Sequence, residues 1–364
     1  MKILMLLGRS TGGIAGHVAA LSLELRKGGA DVVVVTDPRT AGRFDAQLVR
    51  ASWPGSTGLV RSPRDLRTLR RLASASDVVH AHGLRAGALG ALVVGSLQQH
   101  RRPRLVVTLH NAPVGGLAVR TVSAGLERLV ARGADVVLGV SGDLVERARS
   151  LGARRTERAL VPAPTMAATQ RTVDEVRTSL GVPAEAALLV TVARLAPQKG
   201  LDTLCATALL LKDRLAAGDL PEVTGLTWVV AGDGPLRDYL EGRIETDGLP
   251  VLALGRRDDV PELLAAADLV VSTAVWEGQP IWLQEAMALG APIVATDVGG
   301  TSEVTGDGAS LVPAGDAVGL SGRIVDLIGD STRRQSLRSA ALERAQQLPT
   351  MADVVGQLMD LYTG

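Results

Sequence analysis

Two α/β domains, each a doubly wound parallel sheet, are the architecture this chain predicts, and three observations predict it. At 364 residues it is too long for one ordinary hydrophobic core. Short apolar runs alternate with amphipathic stretches in two successive series, the pattern of repeated βαβ units. Between the series lies a joint, Pro162-Ala163-Pro164, too rich in proline for a regular element.

Each run of Val, Leu, Ile and Ala bounded by turn residues reads as a buried parallel strand. In the first half these fall at 2–7, 31–36, 77–81, 104–109, 135–140 and 158–161. In the second half they fall at 186–193, 226–231, 250–254, 268–273, 292–296 and 309–312, with helices between. The opening apolar run is too short for a signal peptide and supplies the first strand. No stretch approaches the length of a membrane span. Residues 331–363 read as helical with a break at Pro349. The domains are therefore expected at 1–164 and 165–349.

Hydrophobic residues make up 46% of the chain, yet it has one Phe, two Tyr and four Trp, so the cores must be built from Ala, Val and Leu. The single cysteine, Cys205, excludes an internal disulfide and reads as an inert buried thiol in a reducing, cytoplasmic setting. The net charge of +1 hides an asymmetry: residues 1–165 carry 24 Lys or Arg against 11 Asp or Glu, and the remainder 15 against 27. Opposite signs help two domains associate. A basic first half also suits an anionic partner or a membrane surface, with Arg61, Arg64, Arg67, Arg70 and Arg71 the densest group. No nucleic-acid partner is expected.

The most informative run is Glu277-Gly278-Gln279-Pro280-Ile281 through Glu285 to Gly290. It puts Glu277 on the loop at the carboxyl end of a strand, where open α/β sheets bind ligands, and Glu285 two turns along the following helix. Two separated acceptors beside free helical N–H groups suit a ligand with both hydroxyls and phosphates, such as a sugar nucleotide. Arg194 and Lys199 lie on the strand-to-helix loop Ala193–Gly200, where a guanidinium fork and an ammonium can neutralise a diphosphate. Gly8–His17 is a glycine-bearing loop that opens a helix after the first strand. A dinucleotide G-x-G-x-x-G fingerprint is absent, which weakens a dehydrogenase reading, although Asp37 sits where a ribose-binding acid would. His80 and His82 point to one side of a strand with no third ligand in reach by sequence, so a metal site there is disfavoured. No Asp-x-Asp pair that would hold a metal–nucleotide complex occurs.

The E-x7-E spacing, the Ala286-Met287-Ala288-Leu289-Gly290-Ala291-Pro292 that ends it and the following Gly299-Gly300-Thr301-Ser302-Glu303 resemble the donor-binding signature of family 4 retaining glycosyltransferases, which have the GT-B fold. Arg194–Lys199–Gly200 resembles the family's G-R-x-x-x-x-K-G, with Ala193 in place of the first glycine. Gly12-Gly13 with His17 resembles its N-terminal Gly-Gly-x-x-x-His loop, and His110 its Thr-x-His segment. The resemblance implies two Rossmann-like domains facing across a cleft, with residues 1–164 binding acceptor, 165–349 binding donor, and the helix 350–364 returning to the first. It implies that Glu285 meets the ribose and that Glu277, with amides of Gly278, Gln279 and Ile281, meets the transferred sugar. Arg194 and Lys199 would meet the diphosphate, Gly12 and Gly13 would face it, and Gly255 and Arg256 would lie by the base. His110 would position the sugar. Pro280 departs from the family's usual glycine and removes one donor.

The expected activity is metal-independent transfer of a hexose, with retention, from a nucleotide-diphosphate sugar to a hydroxyl acceptor. No cofactor or metal is expected. The acceptor is unspecified, with an anionic or lipid-linked one and a peripheral contact at the inner face of the membrane left open. A sugar-nucleotide epimerase and a non-catalytic sugar-nucleotide-binding protein are the rival readings.

Overall fold

A computed structural model of the chain describes residues 1–10, 13–45, 49–52, 63–113, 116–163 and 169–364. It divides into two compact units: Met1–Pro162 with Pro349–Gly364, and Ala163–Leu348.

The first unit holds a seven-stranded sheet of β1 (Lys2–Leu7), β2 (Asp31–Thr36), β3 (Val49–Ser52), β4 (Val78–His82), β5 (Arg104–Leu109), β6 (Val136–Gly139) and β7 (Thr156–Arg158). Their order is β3-β2-β1-β4-β5-β6-β7, and every pairing is parallel. The second unit repeats the scheme with β8 (Ala186–Val192), β9 (Gly225–Ala231), β10 (Val251–Gly255), β11 (Leu269–Ser272), β12 (Ile293–Thr296) and β13 (Ala309–Val312), in the order β10-β9-β8-β11-β12-β13. In each, strand order reverses beside the first strand, which opens a crevice at the carboxyl ends. Register brings Leu7 of β1 level with His82 of β4, and His82 level with Thr108 of β5, so these ends are flush.

The scarcity of aromatics shows in how the helices pack. The helix Leu84–Gly95 is made of small and aliphatic residues, and a Cβ at Gly87 would stand 2.5 Å from Val107 Cγ1. Glycine there lets the helix lie directly on the sheet. The second core instead closes on one large side chain, Trp228, which is fully buried. Its indole N–H donates to Thr191 Oγ1 at 2.9 Å, and that hydroxyl donates to the Val271 carbonyl at 2.6 Å, so the polar atoms within the sheet are satisfied.

Two strand readings need correction. β3 escaped the sequence because Val49-Arg50-Ala51-Ser52 is short and polar, as an edge strand with a shifted register can be. The last strand of the first half is Thr156–Arg158 rather than 158–161. Ala159 and Val161 are buried without extending the ladder, which explains why an apolar run read as a strand. Asp37, placed by sequence where a ribose-binding acid would stand, is a helix cap whose Oδ1 accepts from the Arg39 amide at 2.9 Å.

The C-terminal helix Met351–Thr363 belongs to the first unit and starts at a reciprocal cap between Thr350 and Asp353. Its Gln357 accepts from the Leu160 amide and donates to the Arg158 carbonyl, while buried Tyr362 places its hydroxyl 2.6 Å from His80 Nδ1. Tyr362→Phe strands a buried imidazole nitrogen and is expected to cost about 1–3 kcal/mol. Equilibrium denaturation should show a lower midpoint; an unchanged one would mean the Tyr362 hydroxyl contributes nothing net to stability.

Candidate active site

In the second unit the loops that leave β8, β9, β11 and β12 are joined by backbone contacts only glycine permits. Gly200 has φ +63°, and a Cβ there would stand 1.9 Å from the Thr273 carbonyl oxygen. Gly299, at φ +53°, approaches the Glu277 carbonyl as closely, and that carbonyl accepts from the Gly300 amide at 2.9 Å. Gly232 packs against the Ala193 carbonyl, where a Cβ would stand at 1.8 Å. Thr273 Oγ1 donates to the Lys199 carbonyl at 2.9 Å, and the Val275 amide donates to Gln198. The loops that carry Lys199 and Glu277 thus have little freedom relative to each other.

The structure brings those two side chains together. Lys199 Nζ donates to Glu277 Oε1 in an ion pair whose side chains are 15% and 10% exposed. Arg194, on the same loop as Lys199, is exposed and makes no ion pair among the described residues. Glu285 lies in the helix Ile281–Ala288, half-buried, and burial raises its carboxyl pKa above the ordinary value. Pro280 is the N-cap of that helix, and its carbonyl accepts from the Leu283 and Gln284 amides. The amides of Ile281 and Trp282 remain as first-turn donors. Gly255 ends β10 at φ +67° against the Arg237 guanidinium; Arg256 beside it is exposed, and Arg257 pairs with Asp259.

Side chains to which pattern reading gave no part, having named only the amide of Gln279, stand at the start of the helix Ile281–Ala288. Gln279 Oε1, Trp282 Nε1 and both polar atoms of the Gln284 side chain are buried with no hydrogen-bond partner. The signal was a row of polar groups at the start of an otherwise apolar helix, where each unpartnered group costs about 1–3 kcal/mol.

In the first unit Gly12 lies outside the described residues, and Gly13 begins the helix Gly13–Lys27. His110, directly after β5, is buried, and its Nε2 lies 3.2 Å from His82 Nδ1. Sequence reading set His80 and His82 apart from other ligands, but folding adds His17 and His110, with His17 ring centroids 6.4 Å from His82 and 6.2 Å from His110. His80 is fixed between Tyr362 Oη and Thr108 Oγ1, the latter at 2.7 Å. Among the described residues no group of three His, Cys, Asp or Glu is set to hold a metal ion. Burial lowers the pKa of His17 to about 4; burial and the neighbouring His17 lower that of His80 to about 3. Burial, then His17 and His80, lower that of His110 to about 3, and His82 is held well below its ordinary value mainly by burial. All four imidazoles are neutral at pH 7. One tautomer of the His82–His110 bond has His110 Nε2–H donating to His82 Nδ1, which leaves the His82 proton on Nε2.

Two parallel sheets with crevices at their carboxyl ends define a GT-B protein, and the comparisons agree. Alr3699/HepE of Anabaena, solved with UDP and with UDP-glucose, superposes on this chain with a TM-score of 0.80 at 24% identity over the whole of both chains in its UDP complex, a likeness of fold. The profile of glycosyl transferases group 1 matches residues 172–344, and that of a glycosyl transferase 4-like domain matches residues 12–164. D-inositol 3-phosphate glycosyltransferase 1 of Catenulispora acidiphila is 30% identical over 89% of this chain and 76% of its own length. TuaC of Bacillus subtilis, named for teichuronic acid biosynthesis, is 32% identical over 66% of this chain, and the match spans 58% of that protein. The chain belongs to the group 1 glycosyltransferases of family 4.

A histidine whose folded pKa lies below about 6.5 binds more protons unfolded than folded between the two values. Stability is therefore complete above pH 6.5 and falls as pH drops towards about 4 for His17 and about 3 for His80 and His110. Each contributes a slope of about 1.4 kcal/mol per pH unit. Melting temperatures stepped from pH 7 to 4.5 should fall, and less steeply in His17→Gln; equal slopes would mean His17 titrates as in the unfolded chain.

Proposed function

We propose that the chain transfers a hexose, with retention and without a metal ion, from a nucleotide-diphosphate sugar to a hydroxyl acceptor. The observation that carries this reading is the Lys199–Glu277 pair, a cation and a carboxylate fixed together at the carboxyl end of the second sheet. A Lys ammonium has three donors, so Lys199 can hold Glu277 and still meet a departing phosphate oxygen. Arg194 supplies a second positive charge, and together they do for the leaving diphosphate what a cation would. Glu277 accepts hydrogen bonds from the sugar, helped by amides of Gly278, Gln279 and Ile281, and Glu285 from the ribose. Gly255 and Arg256 border the base. In the reaction the acceptor oxygen bonds to the anomeric carbon as the bond to the phosphate oxygen breaks. The acceptor proton passes to that phosphate on the same face, which retains configuration.

The Anabaena neighbour solved with UDP and UDP-glucose supports a uridine donor, and the inositol phosphate relative supports a phosphorylated acceptor. UDP should raise the melting temperature by mass action; no rise with UDP, GDP or ADP would end the donor reading.

Lys199→Ala is expected to abolish transfer with the fold intact, because the leaving group loses a charge and Glu277 loses its anchor. The two residues act as one unit, so Lys199→Ala/Glu277→Ala should be no slower than the worse single variant. Fully additive losses would show independent roles. Chelator should leave turnover unchanged, and a strict divalent-ion requirement would overturn the electrostatic account.

A further inference from the structure

Two buried threonines leave the second sheet side by side. Ser272 of β11 is level with Ala295 of β12, so Thr273 and Thr296 are the next residues on neighbouring strands. They are 2% and 0% exposed. A buried hydroxyl needs a partner, and each finds a backbone carbonyl in an adjoining loop. Thr273 Oγ1 donates to the Lys199 carbonyl at 2.9 Å, and Thr296 Oγ1 donates to the Ala274 carbonyl at 2.6 Å.

The two bonds act on opposite members of the Lys199–Glu277 pair. The loop that carries Glu277 is held from the β12 side, by Thr296 at Ala274 and by the Gly300 amide at the Glu277 carbonyl. The loop that carries Lys199 is held from the β11 side. Thr273 meets the Lys199–Gly200 peptide twice, with its hydroxyl at the Lys199 carbonyl and with its own carbonyl where a Cβ on Gly200 would stand. The Val275 amide adds a bond to the Gln198 carbonyl. Gly200 is left-handed, so this peptide takes its direction from these contacts and not from a continuing helix or strand. Without the Thr273 hydroxyl the Lys199 backbone would gain freedom while Glu277 stayed anchored.

We propose that Thr273 is a positioning residue for the transfer, setting the Lys199 ammonium through the Lys199 backbone, with Glu277 as the fixed reference. The inference rests on the transferase reading above and gives a role to a residue outside the ligand contacts assigned there. A group misplaced by about 1 Å can cost about a hundredfold in rate, so one buried hydroxyl is enough to matter. Thr191 of β8 supplies the comparison. It is 3% exposed and its hydroxyl also donates to a backbone carbonyl, that of Val271, but its other partner is the core indole of Trp228.

Thr273→Val keeps the shape of the side chain and removes the hydroxyl, Thr273→Ser keeps the hydroxyl, and Thr191→Val is the core control. Donor hydrolysis is followed with UDP-, GDP- and ADP-hexoses, water supplying the oxygen that bonds to the anomeric carbon as the nucleoside diphosphate leaves. With the donor that turns over, Thr273→Val should lower kcat at least about tenfold with KM within about threefold of wild type. Thr273→Ser should recover most of that loss. Thr191→Val should lower the melting temperature and leave kcat within about twofold of wild type. Hydrogen exchange at the Val275 amide should quicken about tenfold in Thr273→Val and stay unchanged in Thr191→Val. Should the valine variant not fold, Thr273→Ala is read in the same way. Turnover like wild type in Thr273→Val overturns the proposal. Equal loss of kcat in the two valine variants also does, since it would report core stability alone. So does a raised KM with kcat unchanged, which would put the hydroxyl in the service of ground-state binding. An unchanged Val275 exchange rate in Thr273→Val overturns it as well. Wild-type protein that turns over none of the hexoses removes the transferase reading and the positioning role together, whereas an active wild type with an equally active Thr273→Val removes the positioning role alone.

Discussion

The ion pair between Lys199 and Glu277 is the contact on which the second unit's site depends. Burying two opposite charges is poor value as a source of stability, since desolvation offsets most of their attraction. The loops around it nonetheless hold it tightly. Gly200 and Gly299 occupy left-handed conformations so that one loop can touch the Thr273 carbonyl and another the Glu277 carbonyl. An alanine at either place would meet backbone, which cannot yield as a side chain can. A pair retained against its desolvation cost and fixed by backbone points to chemistry, where a preset cation and acceptor need no reorganisation when charge develops.

The first unit solves a different problem with the same sheet geometry. Period-2 alternation puts His80 and His82 on one side of β4, and flush register brings β5 alongside, so Thr108 and His110 meet them. Tyr362, far along the chain, supplies the remaining partner for His80. Neutral imidazoles in such a cluster act as hydrogen-bond donors and acceptors whose tautomers are set by one another. A proton fixed on His82 Nε2 requires His110 to donate from its own Nε2.

What sequence reveals follows from what repeats locally. Strands buried on both faces are continuous apolar runs, so eleven of the thirteen were legible, most with ends displaced by a residue or so; of polar β7 only Arg158 fell within the predicted run. β3 was not, because a polar edge strand has no such run. The E-x7-E spacing identified Glu277 and Glu285, and the basic loop identified Arg194 and Lys199. That Lys199 and Glu277 touch, 78 residues apart, could not be read, because the contact is made by two loops on neighbouring strands. The histidine cluster was hidden for the same reason: His17, His80, His82 and His110 come from three separate segments, and only strand order assembles them. Asp37 shows the opposite error, a residue in a suggestive place with an ordinary local task as a cap.

Pro280 is where this chain departs from the family pattern, and the helix start shows what that change does. A glycine at this place would add an N–H just ahead of the first turn and would loosen the entry to the helix. Proline removes that donor, but its restricted φ holds the chain at −76° and sets its carbonyl to accept from Leu283 and Gln284. The first-turn amides of Ile281 and Trp282 keep their direction. The residue before proline is also biased to extended backbone, which constrains Gln279, whose buried Oε1 has no partner. The substitution therefore exchanges one backbone donor for a stiffer frame around a polar side chain.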